Sequence, residues 1–132
     1  MILDTSFLLD LKDGDQDAFE KAIELYDTGV VQRVTIPSVW ELHYSAVYSQ
    51  SDDEYRRVQN LLQMYPLVGI DEPTALRAAE LLAEADRQAG GDSGVDNENG
   101  VIGAVADRFG EPVLTDNENH FTRLPGIEVE PY

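Results

Sequence analysis

Short apolar runs alternating with stretches of helical spacing constrain this chain more than any other feature. Met1-Ile-Leu3 passes straight into Asp4-Thr5-Ser6 and reads as a buried strand ending in a polar turn. Val30-Val31 with Val34-Thr35-Ile36 predicts a second strand, Leu67 to Ile70 a third and Pro112 to Thr115 a fourth, with Ile127 to Pro131 as a short edge strand. Between them Phe19, Ala22, Ile23 and Tyr26 recur at helical spacing before Gly29, a suitable C-cap. Pro37-Ser38 opens a helix through Val39-Trp40-Glu41-Leu42, since proline suits the first helical turn. Val58, Leu61, Leu62 and Tyr65 mark a helix closed by Pro66. Ala75, Leu76, Ala79 and Leu82 mark a long Ala-rich helix ending near Gly90-Gly91. Gly90 to Gly94 reads as a flexible loop. A last apolar helix runs from Val101 through Ala106 to Phe109 and stops at Gly110. Strands alternating with helices predict an α/β fold with a mainly parallel sheet, here as one domain over residues 1–132.

Charge comes next, because it bears on partners. Asp and Glu number 26 against 9 Lys and Arg, a formal net charge of −17, yet 42% of residues are hydrophobic, enough for a core. Nucleic-acid-binding domains usually carry a basic patch, and here Lys12 and Lys21 are the only lysines. The same balance suits a halophile, whose acidic surface stays hydrated in concentrated salt. At molar salt the Debye length falls to ~3 Å, so net charge then no longer excludes an anionic partner. The absence of cysteine excludes disulfides, thiol catalysis and Cys-based zinc sites. The N-terminal residues lack a signal-peptide pattern and no apolar run approaches membrane-spanning length, so a cytoplasmic protein without membrane association is expected.

In parallel α/β sheets, sites form outside the carboxyl ends of the strands. Asp4 closes the first strand and Thr115-Asp116-Asn117 the fourth. Asp96 to Asn99 leads into the last long helix, and Glu41 sits one turn into the helix after the second strand. Clustered carboxylates at one edge suit Mg²⁺ or Mn²⁺, hard cations that prefer oxygen donors. With His43 and His120 as the only histidines, no Ser-His-Asp arrangement competes. Each residue also has a plainer role. Asp4 and Asp96 suit helix caps, Glu41 a solvent-facing position, and Asp116 and Asn117 a turn. Trp40 and Tyr44 fit a core better than a base-stacking platform, His120 fits loop packing, and Arg56-Arg57 fits a solvated face.

Taken in order, these segments resemble a PIN domain of the VapC group of toxin ribonucleases. Ile2-Leu3-Asp4-Thr5-Ser6 resembles the family's opening strand with its first acid. Pro37 to Leu42 resembles the helix start with the second, Glu41. Val101 to Ala106 resembles the helix that follows the third acid. Glu111 to Asn117 with His120-Phe121 resembles the strand, the Thr-x-Asn/Asp turn and the closing Phe, and Leu124 to Ile127 the usual ending. The resemblance implies a three-layer α/β/α sandwich, an acidic pocket binding Mg²⁺ or Mn²⁺, and endonucleolytic hydrolysis of RNA phosphodiesters. It also implies a homodimer and a small antitoxin partner that inserts a segment near the pocket. The apolar face from Val58 to Tyr65 is a candidate dimer contact.

Two positions depart from that pattern. The third acid's place holds Asn99 and the fourth's, often Asp but commonly Asn in the family, holds Asn117, and a neutral amide oxygen cannot supply a carboxylate's charge. Asp96 lies three residues before Asn99, and positions three apart share a helix face if the helix reaches back that far. The expected metal and catalytic set is therefore Asp4, Glu41 and Asp96. Thr5, Ser6, Asn99, Thr115, Asp116 and Asn117 support it by orienting ligands or holding water. Crowded carboxylates repel, so without metal at least one should have a raised pKa. The alternative is a weakened PIN-like module that binds antitoxin or RNA without cutting. A phospho-acceptor receiver or phosphatase fits poorly, because Asp4-Thr5-Ser6 has no second Asp and no lysine follows a late strand.

Overall fold

The computed structural model describes all 132 residues. In chain order the elements are β1 (Ile2–Leu3), α1 (Thr5–Asp13), α2 (Gln16–Asp27), β2 (Arg33–Thr35), α3 (Ile36–Ser49), α4 (Asp52–Leu62), β3 (Leu67–Val68), α5 (Glu72–Gln88), α6 (Asn97–Phe109), β4 (Val113–Leu114), α7 (Glu118–Thr122) and β5 (Val129–Glu130). The five strands form one sheet in the order β3-β2-β1-β4-β5, and every pairing is parallel. Helices cover both faces, giving the expected α/β/α sandwich.

The strands are very short, and their alternation builds two cores. Successive side chains of a strand point to opposite faces. Ile2 and Val113 accordingly join α5, α6 and α7 on one side, through Leu81, Ile102 and Phe121. Leu3 and Leu114 join α1 to α4 on the other, through Phe7, Leu8, Leu42 and Val58. Glycines let α6 be approached closely from two sides, by α5 and by the segment after α7. A Cβ on Gly100 would lie 2.5 Å from Leu82 Cδ1, and one on Gly103 would lie 2.6 Å from Leu124 Cδ1.

Several local expectations shift. Asp4-Thr5-Ser6 opens a full helix, α1, which buries Phe7 and Leu8. The second strand is confined to Arg33–Thr35. Val30 is instead held to α2 by its N–H donating to the Leu25 carbonyl (2.9 Å), and Ile36 already belongs to α3. The Gly90–Gly94 loop is fastened: Ser93 N donates to Asp86 Oδ1 (2.9 Å), and Arg123 donates to the Ser93 carbonyl.

The direction some helices face also differs. In α5 the buried line is Thr74, Ala78, Leu81 and Ala85, while Leu76 is exposed. In α2 the buried residues are Ala18 and Leu25, and Phe19, Ile23 and Tyr26 stand outside the core. Trp40 and Tyr44 are not core residues. They are 60% and 61% exposed, because α3 turns Ser38, Leu42 and Ala46 inward from the opposite side. The Val58–Tyr65 face is largely consumed by the core, since Val58 and Leu61 are buried. What stays open there is a groove of about 760 Å³ between α2, α4 and the segments leading into β2 and β3. Ile23, Tyr26, Val31, Met64 and Tyr65 are among its lining residues.

Candidate active site

The sheet order changes direction at β1. The chain builds outward through β2 and β3, then crosses back to place β4 on the other side of β1. A crevice opens at such a switch point, outside the carboxyl ends of the strands. Asp4 follows β1 there and Thr115 follows β4.

Asp4 is 5% exposed and its carboxylate is held by three donors. Thr5 N donates to Oδ1 (2.7 Å), while Ser6 Oγ (2.9 Å) and Thr115 Oγ1 (2.8 Å) both donate to Oδ2. Its role as N-cap of α1 and its place in the crevice are therefore the same geometry seen twice: capping fixes the carboxylate at the strand end. Glu41 is half-buried on α3. Thr5 Oγ1 lies within hydrogen-bond distance of both Glu41 Oε1 (3.2 Å) and the fully buried Ser38 Oγ (2.9 Å). Thr5 thus ties the two acids together. Nearby, Thr35 at the end of β2 buries its hydroxyl without a protein partner.

Charge in this region is uncompensated. None of Asp4, Glu41, Asp96, Glu98 and Asp116 takes part in a salt bridge, although the chain has many elsewhere. Burial pushes the Asp4 carboxyl above its ordinary value. The hydrogen bonds from Thr115, Ser6 and Thr5 only partly offset this, and the charge of Asp116 adds to the rise. Burial also raises Glu41, against the Thr5 hydrogen bond, and the charges of Asp4, Asp96 and Glu98 push the same way. The expected rise is present in both acids, but its first cause is desolvation rather than crowding.

Asp96 is the N-cap of α6, its Oδ1 accepting from Asn99 N (2.8 Å). It lies just outside the helix and bears on Glu41 through its charge. Glu98, in the first turn of α6, does the same and was not anticipated; an acid in the first turn of a helix that starts at this edge was the signal. The acids and histidines do not gather in threes at ligand spacing: Asp4 and Glu41 are the pair linked by hydrogen bonds, and Asp96 acts on Glu41 through its charge alone. Asp116 is exposed but close enough to act on Asp4. Asn117 N donates to Thr115 Oγ1 (2.9 Å), so the turn after β4 braces the hydroxyl that holds Asp4. Asn99 Nδ2 and Asn117 Nδ2 meet at one atom, His120 Nδ1, at 3.1 and 3.0 Å. His120 therefore belongs to this edge rather than to loop packing alone. Its place three residues after Asn117 was the available hint.

A hard divalent cation fits this donor set. A desolvated carboxylate with no basic partner, beside a second raised carboxylate and hydroxyl oxygens, is the environment such an ion stabilises. A buried acid beside a half-buried one at the switch point of a parallel sheet marks an α/β protein whose ligand site is assembled from strand ends. Among such proteins the chain belongs to the PIN domain family, whose model matches residues 1–127. No curated protein sequence matches it significantly. Among solved structures it is similar in fold to DNA-bound VapBC from Salmonella typhimurium, with a TM-score of 0.81 and 22% identity over 98% of this chain and 96% of that one. VapBC2 from Rickettsia felis, bound to a promoter DNA fragment, gives 0.79 and 19% over 99% and 97%. VapBC-5 from Mycobacterium tuberculosis, of the VapBC family of toxin-antitoxin systems, gives 0.67 and 18% over 98% and 94%.

Proposed function

We propose that this protein is a metal-dependent endoribonuclease that hydrolyses RNA phosphodiesters, and that it is the toxin of a toxin–antitoxin pair. The observation that carries the reading is the buried, unpaired Asp4 carboxylate at the β1–β4 crevice of a PIN fold. Asp4 and Glu41 would hold Mg²⁺ or Mn²⁺, with Asp96 as the third acid of the set. When bound, such an ion lowers the pKa of water and offsets charge on the phosphodiester. The chain's own contribution is placement. Thr115, Ser6 and Thr5 N fix both oxygens of Asp4, and Thr5 Oγ1 sets Glu41 relative to it. Asn117 N keeps Thr115 in line, and Asp116 adds negative charge at the mouth. Asn99, whose Nδ2 meets His120, would hold a water through Oδ1.

The partners in this reading are RNA, a cognate antitoxin and a second copy of the chain. The likeness to VapBC structures supports the antitoxin, and the open groove beside α2 and α4 is an apolar surface suited to a protein segment. No helix is long and apolar enough to cross a membrane, which accords with a cytoplasmic setting. The net charge of −17 supports a high-salt setting, in which repulsion of RNA is screened. A second reading, a binding module that does not cut, draws on Asn99 and Asn117. Both spend their amides on His120 rather than on the acid pair.

One assay separates the readings: cleavage of a structured RNA with Mn²⁺, with and without EDTA, in dilute buffer and in molar KCl. Divalent-dependent cleavage that persists in molar salt supports the enzyme and its halophilic setting. RNA retained intact under every condition supports the binding module.

A further inference from the structure

We propose that His120 contacts the substrate, donating a hydrogen bond from Nε2–H to a phosphodiester oxygen, and that Asn99 and Asn117 fix it in that tautomer. The inference rests on the ribonuclease reading above and deepens it.

Three observations meet at this residue. The first is the convergence of two amides on one ring nitrogen. Asn99 comes from the first turn of α6 and Asn117 from the turn after β4, and each directs its Nδ2 at His120 Nδ1. An amide NH₂ only donates, so Nδ1 must offer a lone pair to both. A neutral imidazole with a bare Nδ1 carries its proton on Nε2.

The second observation is that Nε2 is free. The half-buried ring has its hydrogen bonds at Nδ1 and none at Nε2. A donor held in a defined direction without an internal acceptor is available to a ligand.

The third is position. Asn117 N donates to Thr115 Oγ1, and Thr115 Oγ1 donates to Asp4 Oδ2, so His120 is joined to the buried acid through one residue and one hydroxyl. On its other side Asn99 N is tied to Asp96. The ring therefore bridges the turn after β4, which holds Asp4 in place, and the start of α6. No lysine or arginine pairs with the acids there, so a phosphodiester entering the crevice finds few donors. A neutral N–H supplies one without bridging to the carboxylates, as a cation would.

This changes the meaning of the two amides. Carboxylates at these positions would accept from Nδ1 and draw the ring proton to it, turning the ring's donor away from Nε2. As amides they push the proton outward. Amides at positions 99 and 117 thus carry no charge and leave the ring's donor facing outward.

Two measurements test it. In ¹⁵N-labelled protein at pH 7.5, assigned with His43→Gln, the His120 ring should show a protonated Nε2 and a bare Nδ1. A protonated Nδ1 in the wild type overturns the proposal. In single-turnover cleavage of a structured RNA with Mn²⁺, His120→Ala should lose about 10- to 100-fold in rate, the range for a hydrogen bond to a charged group. Its half-saturating Mn²⁺ concentration and Tm should stay at wild-type values, which separates a lost substrate contact from a loosened metal site or fold. His120→Ala cleaving at the wild-type rate overturns this inference alone. A wild type that cleaves no RNA overturns the ribonuclease reading, and this one with it.

Discussion

The crevice at the end of β1 and the groove beside α2 are opposites. The crevice is polar and buries a carboxylate with no counter-charge. The groove is large, about 760 Å³, and 10 of its 12 lining residues are hydrophobic, so its open apolar surface is what makes it conspicuous. Each region holds unfavourable free energy, but of a different kind. In the crevice it is desolvated charge, relieved by a cation. In the groove it is apolar area in water, relieved by any complementary apolar surface. The apolar groove is therefore not where the chemistry gathers, and the two regions should respond to different perturbations.

The widest separation should come from Asp4→Asn. This variant keeps the cap on Thr5 N and the shape of the crevice but removes the charge. RNA cleavage should fall about 10²- to 10⁴-fold, since metal-assisted charge stabilisation is worth several kcal/mol. The circular dichroism spectrum should not change. Wild-type cleavage in this variant would break the assignment of the crevice. Ile23→Lys in the groove should leave cleavage untouched in the same assay.

Metal binding should give the next largest contrast. At one hundred times its dissociation constant Mn²⁺ stabilises the folded state by about 2.7 kcal/mol, or roughly 10 °C in Tm for a chain of this size. Differential scanning fluorimetry should show that rise in the wild type and little of it in Asp4→Asn. An equal rise in both would place the ion elsewhere.

The dependence of stability on pH sharpens the comparison further. Asp4 and Glu41 have folded-state pKa values above their ordinary 3.8 and 4.5. The folded state thus holds their protons more tightly than the unfolded chain does. The stability they contribute is fully present below the ordinary values and is lost as pH rises through the raised ones. Glu111 behaves the other way. Its burial favours the neutral form, but the Met1 ammonium and Arg33 outweigh that and lower its pKa. Its contribution is present above its ordinary value and lost as pH falls through the lowered one. In EDTA, urea unfolding across pH 4 to 7 should show Asp4→Asn gaining stability relative to wild type as pH rises. Glu111→Gln should lose stability relative to wild type over the same range. A reversed sign for either would refute its electrostatic account.

The smallest effect should come from the groove itself. Ile23 is already exposed, so Ile23→Lys should change stability by less than about 0.5 kcal/mol. Pull-down with the antitoxin of the proposed pair should nevertheless weaken. Unchanged capture would move the protein-binding role off this groove.

How legible the molecule was in its sequence follows the same divide. The alternation of strands and helices and the parallel sheet could be read because short apolar runs end abruptly in polar residues. The run of helical spacing at Phe19, Ala22, Ile23 and Tyr26 located α2 correctly but misled about its covered side. Periodicity reports that a stripe is apolar, not that anything lies on it. The core contact of α2 is made by Ala18 and Leu25, while the stronger stripe lines the groove. Trp40 and Tyr44 fail for the same reason. In α5 the core line of Thr74, Ala78, Leu81 and Ala85 is offset from the apolar stripe read in the sequence, and the missing side chain of Gly100 makes room for Leu82. Asp4 and Glu41 could be found from their places after β1 and inside α3. The link between them through Thr5, and the contact of Asn99 with His120, join residues 36 and 21 positions apart in sequence. No local pattern encodes such contacts.

Trp40 has a practical use. It is the only tryptophan, it lies on the open side of α3, and it adjoins Glu41. With Pro37, Ile70, Asn97 and Glu98 it lines a shallow depression beside the acid-bearing start of α6. Its indole should therefore emit at the red end of the tryptophan range and be open to acrylamide quenching. A blue shift and loss of quenching would register any molecule that covers this rim, without a label. Since α2 and its groove lack a tryptophan, a partner seated only there would leave the emission unchanged. One natural chromophore can thus tell which of the two regions has been occupied.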